Sequence, residues 1–145
     1  MKNRSVPTDG ILPHIYYENT DDALTWLREV CGFVEHYRIE FPEGQLHGVM
    51  THHGGSWIML KNSDRTRTCP AESGVATHSL MVVVEDVDAH YHQAKSLGAK
   101  IVQELFDTEY GERLYSVLDP EGHLWEFSQH IRDVHPQSFG AKLAE

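Results

Sequence analysis

A chain of 145 residues has the length for one folded domain with a hydrophobic core and too little for two independent ones. Its 22 acidic and 12 basic side chains leave a formal charge of −10, a surface field that repels phosphate backbones and anionic membranes, so neither nucleic acid nor membrane is expected as a partner. Cys31 and Cys69 have no CxxC spacing, which argues against a disulfide framework or a zinc ribbon. The first twelve residues hold no apolar run long enough for a signal peptide, and a cytoplasmic protein is expected.

In chain order, Ile11 to Tyr17 reads as a strand. Asn19-Thr20-Asp21-Asp22 then supplies capping side chains for a helix whose apolar face is Ala23, Leu24, Leu27, Val30 and Cys31, with Gly32 placed to stop it. Phe33 to Phe41 alternates, with Phe33, Tyr37, Ile39 and Phe41 on one side. Val49 to Thr51 and Trp57 to Leu60 form a hairpin around a turn at His52-His53-Gly54-Gly55. Residues 63–76 carry charge, Pro70 and Gly74 with no apolar period, and read as a linker.

The same order then recurs at an offset of about 67 residues, Leu60 matching Phe127. Ser79 to Val84 is a β-branched strand. Glu85 and Asp86 open a helix with a stripe at Val87, Tyr91, Ala94 and Leu97, stopped by Gly98. Lys100 to Phe106 follows, then a hairpin of Leu114 to Leu118 and Leu124 to Phe127 around Asp119-Pro120-Glu121-Gly122. The expectation is an α+β domain over residues 1–145, made of two tandem βαβββ units at 11–62 and 77–129. Residues 130–145 form a tail that is loosely ordered or docked on a partner.

The stretch Asp119-Pro120-Glu121-Gly122-His123-Leu124-Trp125-Glu126-Phe127 resembles the closing hairpin of the glyoxalase, bleomycin-resistance and extradiol-dioxygenase (vicinal oxygen chelate) superfamily. Val84-Glu85-Asp86-Val87-Asp88 followed by Gly98-Ala99 is similar to the second-unit strand and helix of the same group. The resemblance covers about residues 11–129 and implies a mixed sheet curled around a cleft, in a homodimer. It also implies four places for metal ligands, on the first and last strand of each unit, which fall here at Leu12, Met59, Ser79 and Glu126. Leu and Met are not ligands for a hard or borderline divalent cation, and one carboxylate does not hold such an ion alone.

The residues expected at a ligand site are His14, Tyr16, Met59, Ser79, Met81, Tyr115 and Glu126, with Glu126 as the candidate catalytic carboxylate and no residue assigned as a metal ligand. Alternation puts Glu126 on the face opposite Trp125 and Phe127, and His14 with Tyr16 on the face opposite Ile15 and Tyr17. The other histidines read as scattered. His52-His53 falls in a turn, and His90 and His92 point different ways on a helix. The first reading is therefore a metal-independent dimeric protein that binds a small hydrophobic or cationic molecule, with no cofactor. The second is a lyase, isomerase or dioxygenase whose divalent metal sits in a shifted site containing Glu126 and His14, or His78 if the register slips by one. A structural or regulatory dimer is the third.

Overall fold

The computed structural model describes residues 5–44 and 46–144. These divide into two compact units. The first runs to Ala76 and includes Pro120–Gly122; the second is Thr77–Asp119 with the residues from His123 onward.

In the first unit, strand β1 (His14–Tyr17) leads into helix α1 (Thr20–Trp26), which widens into a π-helical turn at Leu27–Cys31. Asn19 caps α1, its Oδ1 accepting the Asp22 N–H at 3.0 Å, and Gly32 ends the helical run in the left-handed region at φ 76°. β2 (Val34–Glu40), β3 (Leu46–His53) and β4 (Ser56–Asn62) complete a sheet of order β1-β4-β3-β2 in which β1 lies parallel to β4. A parallel neighbour requires a crossover, and α1 supplies it. Ile15, Tyr17, Val49 and Leu60 meet Ala23, Leu24 and Leu27 in the core, all at 2% exposure or less. After β4 come a loop and the single-turn helix α2 (Pro70–Ser73), so the expected linker holds one regular element.

The second unit repeats the plan. β5 (Ser79–Val83), α3 (Val87–Ser96), β6 (Lys100–Asp107), β7 (Glu112–Leu118) and β8 (Leu124–His130) form a sheet of order β5-β8-β7-β6 with β5 parallel to β8. Asp86 caps α3 through Ala89 N, and Val87, Tyr91 and Ala94 are buried against Tyr115, Trp125 and Phe127 on the sheet. Each aromatic ring buried this way contributes about 2–3 kcal/mol over leaving it in water. The tail is tied back: the N–H groups of Ile131 and Arg132 both donate to Gly111 O. A Cβ at Gly111 would stand 2.1 Å from Arg132 O, so only glycine fits there.

Three expectations change. His52 and His53 belong to β3, paired with Trp57 and Ser56, because the turn is the two residues Gly54-Gly55, with Gly54 at φ 56°. The alternation of Phe33, Tyr37, Ile39 and Phe41 is broken by register shifts between Glu35 and Tyr37 and between Ile39 and Glu40, so Phe33 is 4% exposed and Phe41 40%. Leu97 is 49% exposed, since it forms the C-cap of α3 rather than the last turn of its buried stripe. No helix among the described residues is long and apolar enough to cross a membrane.

The Asp119–Gly122 turn shows what its residue types do. Asp119 accepts the His123 N–H at 3.0 Å and the Trp125 indole N–H at 3.1 Å, pinning the hairpin. Glu121 accepts the N–H groups of Glu18 and Asn19 at 2.6 and 3.0 Å, as a capping-box glutamate does for the N-cap of its own helix. Gly122, at φ 87°, passes close to α2, where a Cβ would stand 3.2 Å from Ala71 N. Replacing Glu121 with alanine is expected to lower unfolding free energy by about 1 kcal/mol, read from a urea midpoint, while Glu121→Gln loses less. An unchanged midpoint in the alanine variant would contradict this capping role.

Candidate functional site

The parallel registers decide which side chains share a face. In the first unit His14 lies beside Met59 and Tyr16 beside Lys61, while on β3 Met50 lies beside Met59 and Gly48 beside Lys61. This face is the one opposite α1, since Ile15 and Tyr17 alternate onto the buried side. A Cβ at Gly48 would come within 3.0 Å of Met59 Cε and 3.2 Å of Leu60 O, so glycine lets the Met59 thioether lie flat along β3. Lys61 Nζ stands 6.0 Å from the Tyr16 ring centroid.

A depression of ≈ 730 Å³ opens on this face, walled by His14, Tyr16, Phe41, His47, Lys61 and Arg67 among others. The Phe41 and His47 rings pack at 4.7 Å and 55°. The loop after β4 is held by Asp64, whose Oδ1 accepts Thr66 N at 2.7 Å, Thr66 Oγ1 at 3.0 Å and Arg67 N at 2.8 Å. These bonds hold the Asp64 carboxyl below its ordinary range. Asn62 is committed to structure, accepting from Thr20 Oγ1 at 2.6 Å and donating to Leu46 O. Desolvation, and then the nearby Lys61 charge, push His14 below its ordinary 6.5, which favours the neutral imidazole.

In the second unit Met81 lies beside Glu126, Ser79 beside Leu124, and Ser116 on β7 beside Glu126. Met81 is 49% exposed and Glu126 half-buried, with no hydrogen-bond or ion-pair partner among the described residues. The open-face placing of Glu126 follows from Trp125 and Phe127 being buried on the other side. Tyr115 lies with those aromatics: it is fully buried, its hydroxyl bonds to His90, and its ring stacks on Phe127 at 5.4 Å. It is therefore on the face away from Glu126, because alternation on β7 gives that face to Leu114 and Ser116. At the end of the same sheet His130 bridges Glu112 and Asp133, at 2.7 Å to each, and these two carboxylates raise its pKa.

Sequence reasoning did not single out Phe41, His47, Lys61 or Arg67. The available signal was Lys61, Arg65 and Arg67 falling within seven residues of an acidic chain, beside the last strand of a unit. It also missed the ring cluster of His36, His52 and Trp57, with centroids at 5.0 Å for His36–Trp57 and 4.6 Å for His52–Trp57. The bulge in β2 that brings His36 there is invisible to simple alternation.

Residues 11–127 match the family model for the Glyoxalase/Bleomycin resistance protein/Dioxygenase superfamily. The chain belongs to this superfamily. It is similar to TioX from Micromonospora sp. ML1, with 34% identity, a TM-score of 0.68, and coverage of 86% of this chain and 100% of that one. An uncharacterised protein of Mycobacterium bovis is 29% identical over 141 residues, covering 93% of this chain and 92% of the relative. The fold alone is shared with FosX, a fosfomycin resistance protein of Listeria monocytogenes solved with Mn(II) and sulfate. That likeness is 16% identity with a TM-score of 0.63, covering 84% of this chain and 93% of the other.

Against the metal sites found among superfamily members, the donor chemistry of each unit can be read directly. In the first unit the residue beside the last-strand place, Met59, is His14, and Leu12 precedes β1; one imidazole and one thioether result. In the second, Glu126 stands beside Met81, and His78 lies outside β5 with its Nδ1 at 3.1 Å from Thr77 Oγ1. The register holds Ser79 and Met81 on the Glu126 face, so no slip brings His78 onto it. Among the described residues no three His, Cys, Asp or Glu side chains gather into a group that could hold a metal ion. Neither donor set fits a catalytic divalent ion, which takes about three protein ligands.

The His14 titration is a direct probe of the first-unit face. Its NMR midpoint is expected below 6.5, and Lys61→Met is expected to raise it part of the way back, because burial remains after the charge is gone. A midpoint at or above 6.5 in the parent protein would contradict the geometry described.

Proposed function

We propose that this superfamily member is a metal-independent binder of a small organic molecule, seated on the open face of the first unit at His14, Tyr16 and Lys61. The observation that carries the reading is the ≈ 730 Å³ depression, which is of the size that takes a small molecule and is walled by aromatic rings with a few charged groups. Tyr16 and the Phe41–His47 pair offer ring faces at little conformational cost, and Lys61 and Arg67 offer polar anchors.

The open face of the second unit, with Ser79, Met81 and Glu126, is proposed as a separate contact surface of that unit. Its unpaired carboxylate suits a hydrogen-bond donor or cation, while Tyr115 acts by packing beneath the sheet. Homodimerisation and a cytoplasmic setting are parts of the same proposal. The alternative, a lyase, isomerase or dioxygenase with a shifted divalent metal, would need about three protein ligands, and the candidate positions of each unit supply one strong donor, His14 or Glu126.

The test is a titration of ¹⁵N-labelled protein, in excess EDTA, with neutral bicyclic aromatics such as 1-naphthalenemethanol. Saturable shifts centred on His14, Tyr16 and Lys61 are expected, with affinity falling about tenfold in Tyr16→Ala. No saturable shift with any compound, or shifts only after Mn²⁺ or Zn²⁺ replaces the EDTA, would overturn the reading.

A further inference from the structure

We propose that the first-unit depression selects an organic anion, a planar aromatic carboxylate whose ring lies against Tyr16 and Phe41 and whose carboxylate meets Lys61 and Arg67. This rests on the ligand-binding reading above and goes beyond it by fixing the sign of the ligand's charge.

The whole chain carries −10, yet the stretch from Lys61 to Arg67 holds three cations, Lys61, Arg65 and Arg67, against one acid, Asp64. That acid also lines the depression and is partly engaged: its Oδ1 takes three donors from Thr66 and Arg67, and its Oδ2 faces Arg67 Nη1 at 3.9 Å. Lys61 has no carboxylate partner among the described residues; it lies near the Tyr16 ring and His14. Arg67 pairs with Asp64 only at 3.9 Å and shares one hydrogen bond with Thr66 Oγ1, and its side chain is 60% exposed, so it is free to turn toward a bound group. A cationic molecule entering here would face the two like charges of Lys61 and Arg67 against the one carboxylate of Asp64, whereas a carboxylate would gain two charge-assisted hydrogen bonds.

The same positive field reaches His14, whose pKa it helps to depress, and a neutral imidazole there can donate one hydrogen bond without adding charge. The rings decide the rest of the ligand. Tyr16 is fixed by the β1–β4 register, and Phe41 is braced by His47, so a flat ring finds two aromatic surfaces beside the charged pair. An acidic protein with a cationic depression also discriminates: its outer surface repels anions in general, and an anion able to fill the ring-lined site recovers that cost.

The experiment compares three compounds of one shape, 1-naphthoate, 1-naphthalenemethanol and 1-naphthylmethylammonium, by NMR titration of the full chain. Naphthoate is expected to bind about five- to tenfold more tightly than either of the others, with the advantage shrinking at 0.5 M salt. In the Lys61→Met, Arg67→Gln double variant naphthoate should fall to the affinity of the alcohol, whose own binding reports that the site is still folded; Lys61→Arg should keep the preference. If the alcohol or the ammonium binds as tightly as naphthoate, or if the preference survives in the double variant, the charge assignment is overturned while the binding site stands. If none of the three binds, both this inference and the ligand-binding reading fall.

Discussion

Each unit depends on one constraint, the parallel pairing of its first strand with its last. Parallel neighbours cannot be joined by a tight turn, so a helix must cross between β1 and the rest of the first sheet and between β5 and the rest of the second. The helix takes one face of its sheet for the core. A strand alternates with a period of two, so the pairing fixes every side chain left on the other face. His14 beside Met59, Tyr16 beside Lys61 and Met81 beside Glu126 follow from two registers and nothing else. The site's chemistry is thus a consequence of which residues the buried face does not use.

That constraint explains why the fold was readable. The helix caps Asn19 and Asp86, the stops at Gly32 and Gly98, and the buried pairs Ile15–Tyr17 and Trp125–Phe127 are local signals that agree with one another in both copies. What escaped the sequence were features of a single extra residue. A bulge in β2 turns Phe33 inward and leaves Phe41 outward, and no alternation pattern announces it. The His52-His53-Gly54-Gly55 run allows turns of two or four residues, and only the cross-strand partners Trp57 and Ser56 choose between them.

The closing-hairpin motif is informative about architecture rather than reaction. Asp119 pins its own turn and the Trp125 indole, Glu121 caps the start of α1, and Gly122 makes room for α2, so the residues that identify the superfamily are engaged in holding the fold. The candidate site was legible only in part. His14, Tyr16 and Glu126 could be assigned to open faces by alternation, whereas Tyr115 could not be separated from the core aromatics without its bond to His90. Lys61 and Arg67 sat in what read as a charged linker, and charge on a surface loop carries no information until its neighbours are known.

We propose that this member of a superfamily in which metal centres occur binds its ligand without one; its candidate positions carry His14 and Met59 in the first unit and Met81 and Glu126 in the second. The measurement that tests this most directly is the metal content of tag-free protein purified without chelators, by elemental mass spectrometry, beside a Glu126→Ala variant. The account predicts transition metal far below one equivalent per chain in both proteins. About one equivalent in the parent, lost in the variant, would contradict it and restore the metal-dependent reading.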